Sequence, residues 1–588
     1  MRAIKIDSVT TLQTIAGGAV IKQGTTTFYS DSAVLNPRTH VIEAFGNIHI
    51  NQADSIHTYG QYLKYLGVEK MAYIKKQVKL TDRKGTVTTD DLDYNLQTGV
   101  GNFYNGGRVS ENKTVITSID GTYYADTKDV YFKRNVKLDD PKNHVRADSL
   151  LYNMNTKKAS FISETHIKNA DVDINTSQGS YDLNTGDAFF TERTTVRDSS
   201  GRVYTANNIA LENKTGNAQL EGNAVIVDTT NNFLITANQI FLNKKNNSFL
   251  ATRKPVLIVI QKDDSTYIAA DTIFSGITTV VEKAEMALQK DSAIDISPQQ
   301  DQRVQEVKVN DSIGRRNLPV LDSLQIPKVT DSLMLQKDSL ISPEVILQNK
   351  GNVIDSADTL KAISPPPDSI STEKDLQQPT GTDSTLKIPE AARDTLTADS
   401  AIRYFLAFRN VRIFNDSLQS VCDSLFFSGK DSVFRLYRQP IVWSGNSQIS
   451  GDTMYLFTKN KEPERLYAFE NGFIINRTRE GFFNQMAGKT INGYFLNGKI
   501  DYLRVKGSQA ESIYYMQDED SLYIGMNRAT GDVIEMFFRN DDLFKVNFIN
   551  AVNGNMYPMG QVPDDQKMLK NFNWQDARRP KNKLELFE

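Results

Sequence analysis

The side chains that most often carry out catalysis are few and scattered in this chain. The histidines and the single cysteine are His40, His49, His57, His144, His166 and Cys422. The common zinc sites need paired cysteines, or two histidines on one turn of a helix, and neither spacing occurs. The sequence also lacks the glycine-rich phosphate loop and the Gly-x-Ser-x-Gly turn of serine hydrolases. We therefore predict no catalytic residue, no metal site, no cofactor and no enzymatic activity.

Pairs of Asp with Ser or Thr are the polar motif that recurs. They open short apolar stretches at Asp31-Ser32, Asp148-Ser149, Asp423-Ser424 and Asp452-Thr453. Carboxylates and hydroxyls are suited to calcium binding or catalysis, but at strand starts they also accept hydrogen bonds from nearby backbone amides. Because the pairs repeat at strand starts, we interpret them as structural.

The composition indicates which elements must position any site. The 24 Tyr and 29 Phe among 588 residues are typical of antiparallel β proteins. A chain this long exceeds a single core, so two or more domains are expected. The 68 Lys and Arg nearly balance the 71 Asp and Glu, which disfavours nucleic-acid binding because that function needs a basic face. One cysteine excludes an internal disulfide framework.

Apolar residues recur through the first half of the chain with a period close to 29 residues. The first ladder is Leu35, Tyr65, Tyr94, Tyr123, Tyr152, Tyr181, Leu211 and Leu242. The second ladder is Phe45, Tyr73, Phe103, Phe132, Phe161, Phe190, Leu220 and Leu250. The third ladder is Ile48, Val78, Val109, Val136, Ile167, Val196, Val225 and Val256. A fixed period of this size is typical of stacked repeats that cannot bury their apolar faces alone.

Each repeat reads as a β-hairpin. Between Asp148 and Ile167, Leu150 and Tyr152 alternate with polar neighbours, and a polar turn precedes Phe161. Alternation with a period of two, bounded by Asn, Thr and Gly, indicates antiparallel strands. The sequence therefore predicts an all-β fold, a repetitive antiparallel β-jellyroll in two parts separated by a disordered linker.

Four segments are predicted along the chain. Residues 1–276 carry the repeats as an N-terminal β-jellyroll. Residues 277–402 form a disordered Ser/Asp/Pro-rich linker, because no aromatic residue occurs between Ser275 and Arg403 and such a stretch cannot bury enough apolar surface to fold. Residues 403–550 resume the strand pattern as a second β domain. Residues 551–588 are an irregular C-terminal tail.

The ladders predict an apolar wall, and one stretch of them is our candidate binding site. Its candidate lining residues are Phe103, Phe132, Val136, Phe161, Phe190, Val196, Leu220 and Val225. They recur at one phase of each repeat, so all should point to one face, while Lys133, Asn135 and Lys137 face water. Two interpretations stay open: the rows fill a closed core, or they line a trough that shields lipid chains from water.

The sequence contains no apolar run that approaches the length of a spanning helix. The first residues, Met1 to Asp7, also lack the apolar core of a signal peptide. Because the chain starts almost directly in a repeat, we expect that a leader was removed or that an upstream start was missed.

The repeats at Phe45-Gly-Asn-Ile-His-Ile, Asp148-Ser-Leu-Leu-Tyr-Asn and Leu220-Glu-Gly-Asn-Ala-Val-Ile-Val resemble those of OstA-like (LptA-type) proteins of lipopolysaccharide export. The two-part layout resembles the long form found in Bacteroidota. The resemblance covers 1–276 well and 403–550 more weakly. It implies a periplasmic, outer-membrane-associated β-jellyroll whose apolar groove carries the acyl chains of lipid A. It also implies end-to-end docking to other jellyrolls of the transport bridge and the outer-membrane translocon, or to itself, and no nucleic-acid partner.

The translocon subunit of that family carries an outer-membrane β-barrel, whose evenly spaced amphipathic strands are missing here, so a bridge role is the better expectation. Two alternatives remain. One is a surface β-solenoid, either an adhesin or a glycan-active enzyme, although an enzyme should place polar residues where these repeats are apolar. The other is a structural scaffold without lipid cargo.

Overall fold

The computed structural model describes residues 2–5, 11–82, 84–260, 265–278, 402–459, 462–478, 480–520, 522–539 and 541–587. By its internal contacts the chain divides into two units, residues 1–293 with 401–588 and residues 294–400. The described residues all belong to the first unit. The predicted linker, 277–402, lies outside them except at its ends, which are parts of strands.

The described part is all-β, with 38 strands and four short 3₁₀ helices as its only regular elements. The first strands are β1 (Arg2–Lys5), β2 (Thr11–Gln23), β3 (Thr26–Asn36), β4 (Val41–Gln52), β5 (Ile56–Leu66), β6 (Met71–Thr81), β7 (Thr86–Asn95), β8 (Val100–Glu111), β9 (Thr114–Ser118), β10 (Asp120–Tyr124), β11 (Asp129–Asp139) and β12 (His144–Asn153). The next are β13 (Lys158–Phe161), β14 (Thr165–Lys168), β15 (Val172–Thr176), β16 (Gly179–Asp182), β17 (Ala188–Phe190), β18 (Thr194–Asp198), β19 (Val203–Ala206), β20 (Asn208–Glu212), β21 (Asn217–Asp228), β22 (Phe233–Asn243), β23 (Ser248–Thr252), β24 (Val256–Val259), β25 (Thr266–Ala269) and β26 (Thr272–Thr278).

The later strands are β27 (Ile402–Phe414), β28 (Gln419–Ser428), β29 (Val433–Tyr437), β30 (Ile441–Ser444), β31 (Ser447–Ser450), β32 (Thr453–Lys459), β33 (Glu462–Arg477), β34 (Phe483–Leu496), β35 (Lys499–Gln517), β36 (Tyr523–Arg539), β37 (Asp542–Ile549) and β38 (Asn553–Pro558). The 3₁₀ helices are Met559–Gln561, Asp564–Gln566, Asp576–Arg578 and Lys583–Leu586. None of the helices in the described segments has the length and apolar character needed to span a bilayer.

Polar turns join successive strands into an antiparallel meander. In the turn after β7, Asn95 Oδ1 accepts hydrogen bonds from the backbone N–H of Gln97 and Thr98, at 2.9 and 3.0 Å. Gly99 closes this turn with a φ of +65°, a left-handed conformation that costs glycine nothing. Asn153 repeats the arrangement two hairpins later. These Asn residues therefore fix where each strand reverses.

Each pass of the chain from one side of the sheet to the other, which we call a crossing, is bent sharply at its middle. A straight strand as long as β7 would span about 33 Å. Yet Asp82, in the turn before β7, accepts hydrogen bonds from Tyr123 and Lys128, both at 2.7 Å. Tyr123 and Lys128 flank a turn at the opposite ends of the strands. The strands must therefore bend in the middle, and the two halves enclose the core between them. Long strands bend at a β-bulge, such as the one between Lys133 and Val136, and others are broken into two short strands.

Asp residues mark these bends, which we call the corners. Asn47 Nδ2 donates to both carboxylate oxygens of Asp31, at 3.2 and 3.0 Å. Asn410 forms the same contact with Asp271, and Asn471 Nδ2 donates to one carboxylate oxygen of Asp452. The Asp-Ser/Thr motif is thus structural, as its repetition indicated, but its partners in these three corners are side chains on the neighbouring strand.

The inner faces of the two halves carry the ladders. Tyr65, Tyr94, Tyr123, Tyr152 and Tyr181 are all buried. The half of each crossing that ends near these residues is called the tyrosine arm, and the other half is called the opposite arm. Three members of the second ladder, Phe45, Tyr73 and Leu250, instead alternate with buried Ala44, Ile74 and Ala251 and so point outward.

The sheet continues across the undescribed residues 279–401. On the tyrosine arm, β26 pairs with β27 from Thr272↔Phe408 to Thr278↔Ile402. On the opposite arm, β25 pairs with the second half of β27 through Tyr267↔Phe414. The strands on either side of the predicted linker are therefore neighbours in one sheet. The division into two β domains stays a prediction.

The C-terminal residues lie across the outer face of the sheet from β24 to β36, as a segment we call the strap (559–587). Three buried glutamines on that face bind its backbone or side chains. Gln485 Oε1 accepts from Leu569 N–H, and Gln448 Oε1 accepts from Gln575 N–H, each at 2.8 Å. Gln419 Oε1 accepts from Arg579 Nε, also at 2.8 Å. Because the strap covers it, this part of the sheet is buried on both faces.

Candidate functional site

The structure brings together seven of the eight candidate lining residues on the inner face. Their exposed fractions are 2% or less, and they are Phe103, Phe132, Val136, Phe161, Phe190, Val196 and Leu220. The four phenylalanines and Leu220 lie on the tyrosine arm beside the corners. Val136 and Val196 lie just past the corners on the opposite arm. The two rows therefore face each other across the narrow end of the core.

The phenylalanine row is packed against glycine. Gly121 pairs with both Phe103 and Phe132, and Gly179 pairs with Phe161 and Phe190. A Cβ on Gly121 would lie only 2.2 Å from Phe103 Cζ. The Phe103 and Phe190 rings thus occupy the space that side chains at Gly121 and Gly179 would need, so the row is closely packed.

Val225 differs from the other seven residues. It is half-buried and lies between Ala224 and Ile226, which are buried, so its side chain points to the outer face. Ile226 takes the inner position instead. Leu220 follows Phe190 by 30 positions instead of 29, and a slip of one residue turns a strand's side chains to the other face.

The predicted water-facing residues alternate with this row as expected. Lys133, Asn135 and Lys137 are exposed, whereas Phe132 and Val136 are buried. Asn135 lies in the corner with a φ of +55°. The inner and outer faces of β11 are therefore cleanly separated into apolar and polar sides.

The wide end of the core, where the ends of the two arms meet, is called the mouth. Side chains from the two arms bridge it. At the first bridge, Tyr94 OH donates to Gln52 Oε1 at 3.1 Å, and Gln52 Nε2 donates to the carbonyl of Leu96 at 2.9 Å. Gln52 belongs to the opposite arm and the other two residues to the tyrosine arm, so these bonds join the arms.

The second bridge is charged. Asp82, on the opposite arm, accepts from Tyr123 OH and from Lys128 Nζ on the tyrosine arm. Burial alone would raise the pKa of the Asp82 carboxyl, but its hydrogen bonds from Lys128, Tyr123 and the backbone of Gly85 outweigh burial and hold that pKa below its ordinary value. Burial and the same Asp82 raise the pKa of Tyr123. Asp82 therefore stays ionised and Tyr123 protonated at neutral pH.

The third bridge repeats the charged pattern. Lys157 Nζ forms an ion pair with Glu111 Oε1 from the opposite arm, and the Glu111 side chain is only 5% exposed. Glu111 Oε2 and Tyr152 OH, also buried here, have no hydrogen-bond partner in the described part of the chain. Lys157 thus neutralises the Glu111 carboxylate, whose second oxygen has no hydrogen-bond partner among the described residues.

The bridges continue along the mouth with changing chemistry. Tyr181 OH donates to Asn143 Oδ1 at 3.3 Å and accepts from Asn169 Nδ2 at 3.1 Å. Further on, Arg202 Nη1 from the opposite arm donates to Asn247 Oδ1 at 2.5 Å. Arg403, from the strand that follows the undescribed segment, is on the tyrosine arm like Asn247 and donates from Nη2 to the same oxygen at 2.7 Å, and its guanidinium lies 5.5 Å from the ring centroid of Phe233 on the opposite arm. These side-chain bridges close the mouth from Gln52 to Arg403.

Sequence reasoning found the tyrosines of the mouth but missed their partners. The partners precede them by a nearly constant distance, 42 residues for Gln52 and Tyr94 and 41 for Asp82 and Tyr123. That distance is about one and a half repeats, because a polar residue on one arm meets the tyrosine arm of a later crossing. A search for polar residues at this offset would have found them.

Residues 3–148 match the family model for OstA-like protein. The N-terminal quarter of the chain is OstA-like. The match supports a β-jellyroll family of the lipopolysaccharide-transport type. None of the curated proteins matches the chain.

The OstA-like match ends inside β12, but the architecture it contains does not. Tyr152 and Tyr181, beyond residue 148, keep the same inner position as Tyr94 and Tyr123 within it. The corner contact between Asp31 and Asn47 inside the match recurs at Asp452, far beyond it. The same structural unit therefore extends well past the OstA-like segment.

The reactive side chains lie away from the mouth bridges. His49 Nε2 and His57 Nδ1, in the OstA-like segment, are 3.0 Å apart, and burial followed by the neighbouring His57 lowers the pKa of His49. Burial raises the pKa of the Cys422 thiol to about 12, so this thiol is protonated at neutral pH. The described residues contain no group of three or more His, Cys, Asp and Glu that could hold a metal ion.

Proposed function

We propose that this protein is a non-enzymatic lipid carrier that holds the acyl chains of lipopolysaccharide between its two arms, as a periplasmic bridge toward the outer membrane. The observation that carries the proposal is the contrast between the two ends of the core. Backbone-paired corners close the narrow end, whereas the bridges across the mouth are made by side chains. Side chains rotate without breaking the sheet, so the arms can separate at the mouth.

The inner faces suit an acyl cargo. Lipid chains inserted between the arms would replace contacts between Phe161, Phe190 and the residues opposite them with equally apolar contacts. Each methylene group taken from water contributes about 0.8 kcal/mol. Each side-chain bridge that has to open costs only about 0.5–1.5 kcal/mol net, and more where charges are paired. Acyl burial therefore exceeds the cost of opening a few bridges.

The match to the OstA-like family model supports a choice of partners for this carrier. An OstA-like segment favours association with other jellyrolls of lipopolysaccharide transport. On the tyrosine arm the sheet ends at β37, which offers such a partner an apolar edge, since Phe544 and Ile549 are 59% and 43% exposed. Exposed edge strands pair readily with strands of another chain. We infer end-to-end docking, with a similar jellyroll or with a second copy.

A structural scaffold without cargo is the second candidate, because one observation favours it. Phe103, Phe132 and Phe190 have exposed fractions of 0%, so the protein's own side chains fill the narrow end of the core. A scaffold would have the same fold and copurify with no lipid.

Photo-crosslinking separates the two candidates. A benzoylphenylalanine at Phe161 should capture lipopolysaccharide, while the same residue at exposed Lys137 should not. Both substitutions must leave the circular dichroism of the native protein unchanged. Native mass spectrometry of protein taken from its own envelope should show bound lipid. Equal capture from both positions, or none from either, would contradict the carrier and favour the scaffold.

A further inference from the structure

A cavity opens at the mouth just beyond the last bridge formed by Arg403. Its volume is about 220 Å³. Its apolar walls come from the opposite arm and the tyrosine arm, and they are Val259, Ile413, Leu418, Phe427, Phe434 and Leu456. For comparison, an apolar cavity of about 150 Å³ in another protein binds benzene. This cavity, which we call the port, is large enough to hold part of a hydrocarbon chain.

The described residues at the rim of the port are polar but uncharged. Asn232 and Asn415 lie on the opposite-arm side, and Ser432 and Thr458 lie on the tyrosine-arm side. None of the described residues that line the port carries a charge, in contrast to the ion pairs at Asp82 and Glu111. Amides and hydroxyls at the entrance can hydrogen-bond the amide or ester group that links an acyl chain to its head group.

The port leads into the core. The rings of Phe427 and Phe434 are stacked, with centroids 4.4 Å apart, and Phe427 is 6.4 Å from Phe405. Phe405 in turn contacts Phe233 and Phe249 of the preceding crossings. A chain that enters past Phe434 and Leu456, which are paired on the adjacent strands β29 and β32, would therefore meet a continuous path of aromatic side chains toward the N-terminal half of the core.

The arms come together again on the far side of the port. A Cβ added to Gly498, in a turn of the tyrosine arm, would lie 2.6 Å from Ser417 Oγ on the opposite arm. The mouth is thus closed by the Arg403 and Asn247 contacts on one side and by the close approach of Gly498 to Ser417 on the other. The apolar interior meets solvent between them.

From this placement we propose that the port is a lateral entry site for one acyl chain of the cargo lipid, with its head group held outside at the rim. This proposal rests on the carrier function proposed above. The occupant is an acyl chain rather than a charged ligand, because the walls are apolar and the rim is neutral. The arms need not separate along the whole mouth for the first chain to enter.

The test uses the full chain and a hexadecanoic acid that carries a diazirine, with labelled peptides mapped by mass spectrometry. Label should concentrate on peptides containing Leu418, Phe434 and Leu456, and purified lipopolysaccharide should compete it away. Leu456→Trp fills the port and should reduce this label at least about tenfold. Leu242→Trp is the matched control, since Leu242 and Leu456 are 7% and 6% exposed on the inner face. It should leave the label at the port unchanged.

A second variant guards against misfolding. Thr458→Trp enlarges a half-buried rim residue and should block the same entrance in a folded protein, as checked by circular dichroism. Labelling that survives both port variants, or that lipopolysaccharide does not compete, would overturn the port. Crosslinking at Phe161 separates this failure from that of the carrier itself. If Phe161 captures lipopolysaccharide equally with and without Leu456→Trp, the carrier stands and the port is wrong; if Phe161 captures none in the wild type, the carrier is wrong.

Discussion

The charged bridge between Glu111 and Lys157 gives the sharpest test of how the mouth is held. Lys157→Met removes the cation and keeps most of the side-chain volume. It leaves the Glu111 carboxylate, 5% exposed, without its ion-pair partner. An uncompensated buried charge is costly, whereas replacing both members of such a pair by apolar groups is often neutral. Glu111→Leu added to Lys157→Met should therefore restore most of the stability lost in the single variant.

The structure sets the size of the effect. Removing one partner of a fully buried ion pair costs about 3–5 kcal/mol. The Lys157 side chain is 22% exposed, so water can reach part of the bridge and we expect a cost below that range, about 2–3 kcal/mol. Since about 1.4 kcal/mol corresponds to a factor of ten, the local opening equilibrium should rise about 30- to 150-fold. The double variant should lie within about 1 kcal/mol of the wild type.

Hydrogen–deuterium exchange measures this locally, which suits a repeat protein whose crossings contact only their neighbours. Amides between Met154 and Phe161 should exchange faster in Lys157→Met by the factor given above. Lys158→Met is the matched control, because Lys158 is exposed and adjacent, and it should change these amides little. An increase of less than about threefold in Lys157→Met, or a double variant as unstable as the single one, would refute the role of the bridge.

Perturbations in the core, in the mouth and at the terminal edge have separate expected outcomes. Gly121→Ala places a Cβ 2.2 Å from Phe103 Cζ and should cost about 1–3 kcal/mol in urea unfolding; adding Phe103→Leu should relieve it, and unchanged stability would contradict the packing. The pKa of Asp82 lies below its ordinary value of about 3.9, so its carboxylate stabilises the folded protein above that pH, and this stabilisation should be lost as the pH falls further. Asp82→Asn should flatten this part of a curve of stability against pH, and an unaltered curve would count against the bridge. Phe544→Glu charges a side chain that is 59% exposed on the last long strand and should weaken self-association in sedimentation velocity, with unchanged association arguing against edge docking.

Counting the period predicted the strands and most of the inner residues. From Tyr65 to Tyr181 the spacing is 29, and every tyrosine of this ladder is buried in the tyrosine arm. The fold class and the alternation around Phe132 and Val136 followed from the same pattern. These features depend on local alternation along one strand, which the sequence displays directly.

The 29-residue period predicted the wrong inner residue in the repeat that contains one extra residue. From Tyr181 to Leu211 and from Phe190 to Leu220 the spacing is 30, so the third ladder should also advance by 30 from Val196. That position is Ile226, which is buried, whereas Val225, at a spacing of 29, faces outward. Both residues are β-branched and apolar, so type alone does not separate them. Ile226 is identified only if all the ladders are required to advance by the same number of residues from one repeat to the next.

The strap was beyond the reach of period counting. Its contacts with Gln419, Gln448 and Gln485 join residues far apart in sequence, and the tail itself has no repeat. The residues that could have predicted the strap lie in the strands that it covers. Gln419 and Gln448 are 29 residues apart and flank buried apolar residues such as Val421 and Ile449, which indicates that something polar and irregular covers both crossings.

The corners and the mouth together determine how this protein can open. At the corners, bulges hold pairs of residues in left-handed conformations, as at Arg134 and Asn135, while the strands on both sides remain hydrogen-bonded to their neighbours. Unpairing them would expose backbone groups of several strands at once. The mouth bridges from Gln52 to Arg403 involve side chains of one or two residues from each arm. Opening at the mouth with the corners as hinges is therefore the motion of lowest cost, and it exposes the Phe161 and Phe190 row from the side on which the port already meets solvent.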